Sequence, residues 1–150
     1  MDNAAVAFLE KNHQAAMTTL RRDGTPHSVR IGVAMVDGKI WSSATQDRLR
    51  TKHLRRDPRS TLFVFDSGFA YLGLECRVTI LDGPDVPNQS VRLFEVMQRE
   101  MPGYTPGRLN WYGKPTTIDD FKKLMVDEGR IIYEFEVQKF YGLYQGVPTR

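Results

Sequence analysis

Two Asp-Gly pairs, Asp23-Gly24 and Asp37-Gly38, constrain this chain more than any other feature, because each lies between runs rich in β-branched and apolar residues. A tight hairpin turn needs positive φ, which glycine supplies without steric cost and Asp tolerates. The flanking runs cover residues 15–21, 27–36 and 39–45. Three strands joined in this way read as an antiparallel meander.

The remaining pattern adds three strands and four helices. Residues 2–13 predict a helix capped by Asp2 or Asn3, with Val6, Phe8 and Leu9 turned inward. Residues 47–56 predict a second helix, which stops before Asp57-Pro58 because proline disfavours helical geometry in the residue before it. Residues 61–65 and 71–81 read as strands around Asp66-Ser67-Gly68, and residues 82–88 as a loop with two prolines. An amphipathic helix is expected over 90–101, with Val91, Phe94 and Met97 along one stripe. Residues 118–128 form the last expected helix, closed by Gly129. The final strand, 130–138, alternates Tyr133, Phe135 and Val137 with Glu134, Glu136 and Gln138. Between these elements, residues 102–117 hold glycine, proline and aromatics, and read as a long loop of the kind that often serves function. The expected fold is α+β, mainly β: one six-stranded antiparallel barrel with flanking helices, occupying 1–150 as a single domain.

Composition excludes several classes. Apolar residues make up 41% of the 150-residue chain and charged residues 26%, which suits a globular core. No run approaches the roughly 18 apolar residues of a membrane span. An acid near the N-terminus and the lack of an apolar signal core predict a cytoplasmic protein. The lone Cys76 allows no intrachain disulfide. His13, His27 and His53 lack metal-ligand spacing, so no metal is expected. There is no nucleophile elbow, HExxH or P-loop, and no residue is assigned a catalytic role. A cofactor supplying the chemistry fits that absence.

Two stretches carry candidate binding chemistry. In residues 27–36, Val29, Ile31, Val33 and Met35 share one face, while Ser28, Arg30, Gly32 and Ala34 share the other. Small residues beside an arginine leave room for a planar ligand or a partner subunit; a plain exposed strand is the alternative. The second stretch is basic: six Lys/Arg stand against two Asp between Asp47 and Arg59. Arg48, Arg50, Thr51 and Lys52 fall near a helix start, where free amides and the dipole are already positive. A phosphate would relieve that crowding, with hydroxyls from Ser43 and Thr51 as further donors. A solvated basic face capped by Asp47 also fits, and RNA is a third reading without a recognised motif behind it.

The order Thr18-Thr19-Leu20, Asp23-Gly24-Thr25-Pro26-His27, Trp41-Ser42-Ser43, then Arg50-Thr51-Lys52-His53-Leu54-Arg55-Arg56-Asp57-Pro58-Arg59, resembles the pyridoxamine 5′-phosphate oxidase-like split barrels. The ending Phe140-Tyr141-Gly142-Leu143 resembles them too. Within that superfamily the chain is most similar to the flavin/deazaflavin oxidoreductases of group B, which use coenzyme F420. The resemblance implies an FMN-binding type of split barrel and a homodimer with cofactor sites at the interface. It implies hydride transfer from reduced F420 to an electrophilic, unsaturated small molecule, with no nucleic-acid or membrane partner. FMN-dependent oxidase or reductase chemistry, or a non-catalytic cofactor carrier or sensor, are the alternatives. Arg48, Arg50, Thr51 and Lys52 would hold the cofactor phosphate or its polyglutamate tail. His27, Arg30, Ser42 and Ser43 would line the ring and the ribityl chain, with Phe69 and Tyr71 approaching from one side. Tyr104, Trp111 and Tyr112 are expected to cover the ring or contact substrate, although 102–117 matches no motif of the family. The phosphopyridoxine-binding pattern is not recognisable, which points away from vitamin B6.

Overall fold

Asp37 and Gly38 both hold positive φ, 50° and 77°, in the computed structural model, which describes residues 1–146. They form the two-residue turn of a hairpin between β3 (Ala34–Val36) and β4 (Lys39–Thr45). The first Asp-Gly pair joins β1 (Gln14–Leu20) to β2 (Pro26–Gly32), with Gly24 at φ 86°. The Asp23 carboxylate accepts from the Thr25 amide and hydroxyl, 3.0 and 2.6 Å, and fixes that turn.

The expected strand over 27–36 is two strands. At Val33 the chain leaves β1, its amide donating to the His13 carbonyl at 2.9 Å, and continues as β3 against β4. The count in the main sheet is therefore seven rather than six. With β5 (Arg59–Phe65), β6 (Tyr71–Leu81) and β9 (Arg130–Leu143), its order is β2-β1-β5-β6-β9-β4-β3, antiparallel throughout. Strands β2 and β3 are separated by one residue yet form opposite edges. A flat sheet of this width would put its edges roughly 29 Å apart at about 4.8 Å per strand, while one residue spans about 3.5 Å. The sheet must therefore curl until its edges meet. The Ser42 hydroxyl, on β4 next to the β3 edge, bridges to the β2 edge by donating to the Gly32 carbonyl at 2.6 Å.

Alternation survives the break. Ile31 and Val33 enter the barrel core with Met17, Leu62, Leu74 and Tyr133, and Val29 and Met35 pack against it. Helix α1 (Asn3–Lys11), capped by Asp2 through the Ala5 amide at 2.8 Å, adds Ala5, Phe8 and Leu9. Ala34 turns outward under α3 (Val86–Gln98), in a second cluster with Trp41, Leu93 and Ile132. Its own chain, not solvent, fills that part of the small-residue face.

Other expectations shift for local reasons. Helix α3 starts at Val86, inside the expected loop, because Pro87 is tolerated in a first helical turn. Helix α2 (Leu49–Arg56) has Arg48 at its N-cap position; Asp47 instead accepts the Thr45 hydroxyl at 2.5 Å. The last strand runs on to Leu143 through a bulge opposite Glu75 and Cys76, where Gln138 is the extra residue. Residues 102–117 are not structureless. They contain a second hairpin, β7 (Arg108–Trp111) and β8 (Lys114–Thr117), turned by Tyr112 and Gly113 at φ 51° and 83°. It packs with α3 and α4 (Ile118–Asp127) through Leu109, Phe121 and Met125. No helix among the described residues is long and apolar enough to cross a membrane.

Candidate functional site

Where β4 and β9 run side by side, Ser43 lies opposite Ile132 and Thr45 opposite Arg130. Helix α3 and the β7–β8 hairpin lean over this outer face without filling it. A cleft of about 300 Å³ remains, lined by Gly32, Ser43, Met97, Trp111, Tyr112 and Arg130 among others. The Ser43 hydroxyl is buried there with no hydrogen-bond partner. Buried polar atoms in folded chains are nearly always paired, so an orphan facing a cleft asks for a ligand. A Cβ on Gly32 would lie 3.2 Å from the Met97 sulfur, so glycine keeps this wall low.

Positive charge gathers on and around α2, whose Arg50 feels the charge of Arg130 in the cleft wall. Arg55 reaches Asp82 at 3.5 Å, Arg56 donates to the Leu20 carbonyl, and Arg59 is held by Asp57 at 2.8 Å. That fork of hydrogen bonds from Arg59 holds the Asp57 carboxyl down to about 2. Arg48, Arg50 and Lys52 are left without an ion pair among the described residues, and all three sit at the start of α2. Arg50 is partly buried, and its Nε has no hydrogen-bond partner. Burial pushes its guanidinium pKa down, and Arg48 and Arg130 push the same way. A group so placed is stabilised by an anion. Arg130 lies at the end of the cleft, ion-paired to Glu128 at 2.8 Å and stacked 4.9 Å from the Trp111 ring centroid.

The residues expected at the site from sequence are scattered, and the structure brings only some of them together. Ser43, Trp111 and Tyr112 line the cleft, and Arg48, Arg50 and Lys52 share the α2 start. Ser42 and Thr51 point inward: Thr51 donates to the Thr45 carbonyl at 2.8 Å and meets the Tyr133 hydroxyl. Arg30, Phe69 and Tyr71 lie away from the cleft. Arg30 donates to Gln14 at 2.7 Å, Tyr71 stacks on Phe63 at 4.9 Å, and Phe69 is 92% exposed. His27 packs edge-on against His53, 5.3 Å between centroids, with its Nδ1 buried and unpartnered. Tyr104 lines a separate cavity. Arg130 is not expected at the site from sequence, and Met97 reads only as part of the apolar stripe of a helix. Arg130 reads there as an ordinary strand-leading charge after Gly129, and only the β4–β9 register brings it beside Ser43.

The donor set suits a planar, anionic cofactor: a slot beside glycine, an unpaired hydroxyl and arginines free of carboxylates. No group of three potential metal ligands occurs among the described residues. Burial pushes the Cys76 thiol up to about 12, so it is not a nucleophile.

Among solved structures, the conserved hypothetical protein Rv2991 from Mycobacterium tuberculosis aligns over 100% of this chain and 91% of its own, with TM-score 0.73 and 20% identity. A protein described as an F420 reductase aligns over 93% of this chain and 98% of its own, with TM-score 0.65 and 17% identity. A putative pyridoxamine 5′-phosphate oxidase from Listeria innocua covers 93% and 95%, with TM-score 0.62 and 12% identity. At these identities the likeness is one of fold, the split barrel. Residues 1–141 match the family described as pyridoxamine 5′-phosphate oxidase, and the chain belongs to that family.

Proposed function

We propose that the chain is a cytoplasmic, homodimeric oxidoreductase that uses reduced coenzyme F420 to reduce an electrophilic, unsaturated small molecule. One observation carries this: an unpaired Ser43 Oγ faces a cleft whose wall is kept low by Gly32, and Arg50, its Nε also unpaired, feels the charge of Arg130 at the end of that cleft. The likeness in fold to an F420 reductase supports it. Bound in the cleft, the reduced deazaflavin would supply the hydride.

The chain's own residues bind and orient. Arg48, Arg50 and Lys52 hold the anionic end, Arg50 by charge-assisted hydrogen bonds. Three unpaired cations suit a phosphate followed by a carboxylate-bearing tail better than a single phosphate. Ser43 hydrogen-bonds the ring or its polyol chain. Trp111 and Tyr112 close the hairpin over the cleft and exclude water, which strengthens each polar contact beneath them.

A second copy of the chain completes the assembly. Phe63, 42% exposed, stacks with Tyr71 on the outer sheet face, and Phe69 is 92% exposed. Exposed aromatic groupings of this kind mark association surfaces. Titration of F420 and of FMN, followed by absorbance and fluorescence, tests the cofactor; turnover of a panel of enones with reduced F420 then separates an enzyme from a carrier. Saturable F420 binding with enone reduction is expected. Binding of FMN alone would favour the FMN-dependent alternative, and F420 binding without turnover a carrier.

A further inference from the structure

A second cavity, about 460 Å³, opens on the far side of the β7–β8 hairpin, outside the cleft. Its size falls within the usual range for small-molecule sites, ~300–1,000 Å³. Tyr104, Met101, Leu109, Gln98 and Asn110 are among its lining residues, a mixture of apolar surface and amide. Arg108 is its only charged lining residue and has no ion pair among the described residues. The cavity is built on a fixed frame. The Gln98 side chain clamps β7 to α3, donating to the Asn110 carbonyl at 2.9 Å and accepting from the Asn110 amide at 2.8 Å. Gly103, at φ 83°, lets the chain turn at its rim, and Gly107, at φ 85°, turns it again just before Arg108.

Asn110 lines both the cavity and the cleft, so one residue borders the two spaces. Its side-chain oxygen accepts from the Gly113 amide at 2.8 Å, which leaves its NH₂ group for a ligand. We propose that this cavity is the substrate's binding site, that it takes a molecule with an apolar body and a carboxylate, and that Arg108 and Asn110 determine that choice. Arg108 pairs with the carboxylate, for which a planar guanidinium is the best partner. Tyr104 and Leu109 take the apolar body, with few rotamers to freeze. Asn110 stands where the molecule's other end passes toward the cleft. The inference rests on the cleft being the cofactor site, but its own determinants lie on different residues.

Calorimetric titration of the full chain with cinnamate and with its uncharged analogue cinnamamide tests it, alongside F420 titration of the same samples. Wild type should bind cinnamate about fivefold or more tighter than cinnamamide, a charge-assisted pair at a partly open site. Arg108→Gln should erase that preference while leaving F420 affinity unchanged. Cinnamate should shift the amide resonances of Gly103 and Asn110 and not that of Gly24. Equal affinity for the two probes in wild type, a preference that survives Arg108→Gln, or no saturable binding of either would overturn the proposal. Loss of F420 binding in wild type with the Arg108-dependent preference intact would sink the reading of the cleft and leave the cavity as a carboxylate site.

Discussion

The Arg50 guanidinium sits over the ring of Tyr133, its central carbon 5.9 Å from the ring centroid. Tyr133 is fully buried, so a cation at the start of α2 is braced by the barrel interior. The Thr51 hydroxyl gives its proton to the Thr45 carbonyl, so the Tyr133 hydroxyl donates to Thr51 and turns its lone pairs to Arg50. The Arg50 guanidinium is thereby tied through Tyr133 to Thr51 and Thr45, one residue each on β9, α2 and β4.

Arg50→Ala should weaken F420 binding by about 1.5–3 kcal/mol, the usual worth of a hydrogen bond to a charged group, or roughly tenfold or more in Kd. Arg48→Ala removes a more exposed charge and should cost about 1 kcal/mol or less. Added salt should weaken the wild-type complex more than either variant, because screening acts on the pairs they lack. Fluorescence titration of F420 at two salt concentrations reads both effects. Unchanged affinity in both variants would return the basic stretch to a solvated surface.

Tyr133→Phe keeps the ring and removes the brace. Stability should fall by about 1 kcal/mol, the typical net value of one hydrogen bond. F420 affinity should fall by a few-fold, less than for Arg50→Ala. An effect on affinity as large as that of Arg50→Ala would mean that Tyr133 touches the cofactor itself.

Much of this was legible in the chain. The Asp-Gly turns place the first two hairpins, though not the break between β2 and β3, because their φ demands are local and glycine meets them at the residue where they arise. The alternation of Val29, Ile31, Val33 and Met35 survives because side-chain period belongs to the strand, not to its partner. What the pattern could not carry was the change of partner at Val33, which depends on the curl of the whole sheet. The hairpin at Tyr112-Gly113 was hidden because positive φ at a tyrosine has no sequence signature. Arg130 was hidden for another reason: register alone sets it beside Ser43. Charge around α2 was visible, but which charges are spoken for was not, since Asp82 pairs with Arg55 across a long stretch of chain.

His53 gives the fold a pH dependence. It is buried, hydrogen-bonded to the Thr19 hydroxyl at 2.9 Å, and burial lowers its pKa from the ordinary 6.5. His27, Arg56 and Arg21 face it and push the same way. The folded state thus resists a proton that the unfolded chain accepts, so stability is full above about pH 6.5 and declines as pH falls below it. Melting temperature should drop between pH 7 and 5, and the drop should be shallower in His53→Gln. Parallel curves for the two proteins would remove His53 as the cause.

The outer sheet face makes a prediction about assembly. In register across the sheet, Phe63 faces Gly73, and Gly73 faces Tyr141. A Cβ at Gly73 would come within 2.5 Å of the Tyr141 ring, so that ring lies flat over the strand. The result is an aromatic patch on the outer face of the sheet, with Phe63 42% exposed. Sedimentation at micromolar concentration should give a dimer, and Phe63→Asp should shift it toward monomer without unfolding it. A wild-type monomer with a cooperative melt would rule the dimer out.

Gly32 offers the most direct probe of the cleft. Its φ lies outside the left-handed region, so a side chain there meets no backbone strain, only neighbours. The nearest is the Met97 sulfur at 3.2 Å, the flexible part of a pliable residue, followed by the His13 carbonyl at 3.8 Å. Alanine should therefore be accommodated, with a stability change within about 1 kcal/mol. Valine adds two methyl groups to a cleft of about 300 Å³ beside the unpaired Ser43 hydroxyl. Overpacking of that kind typically costs ~1–3 kcal/mol where the space is needed, so F420 affinity should fall about tenfold in Gly32→Val and only slightly in Gly32→Ala. Circular dichroism and melting curves check that both variants fold. If Gly32→Val folds normally and binds F420 as tightly as wild type, the planar ring does not lie against this strand, and the orphaned Ser43 hydroxyl needs another occupant.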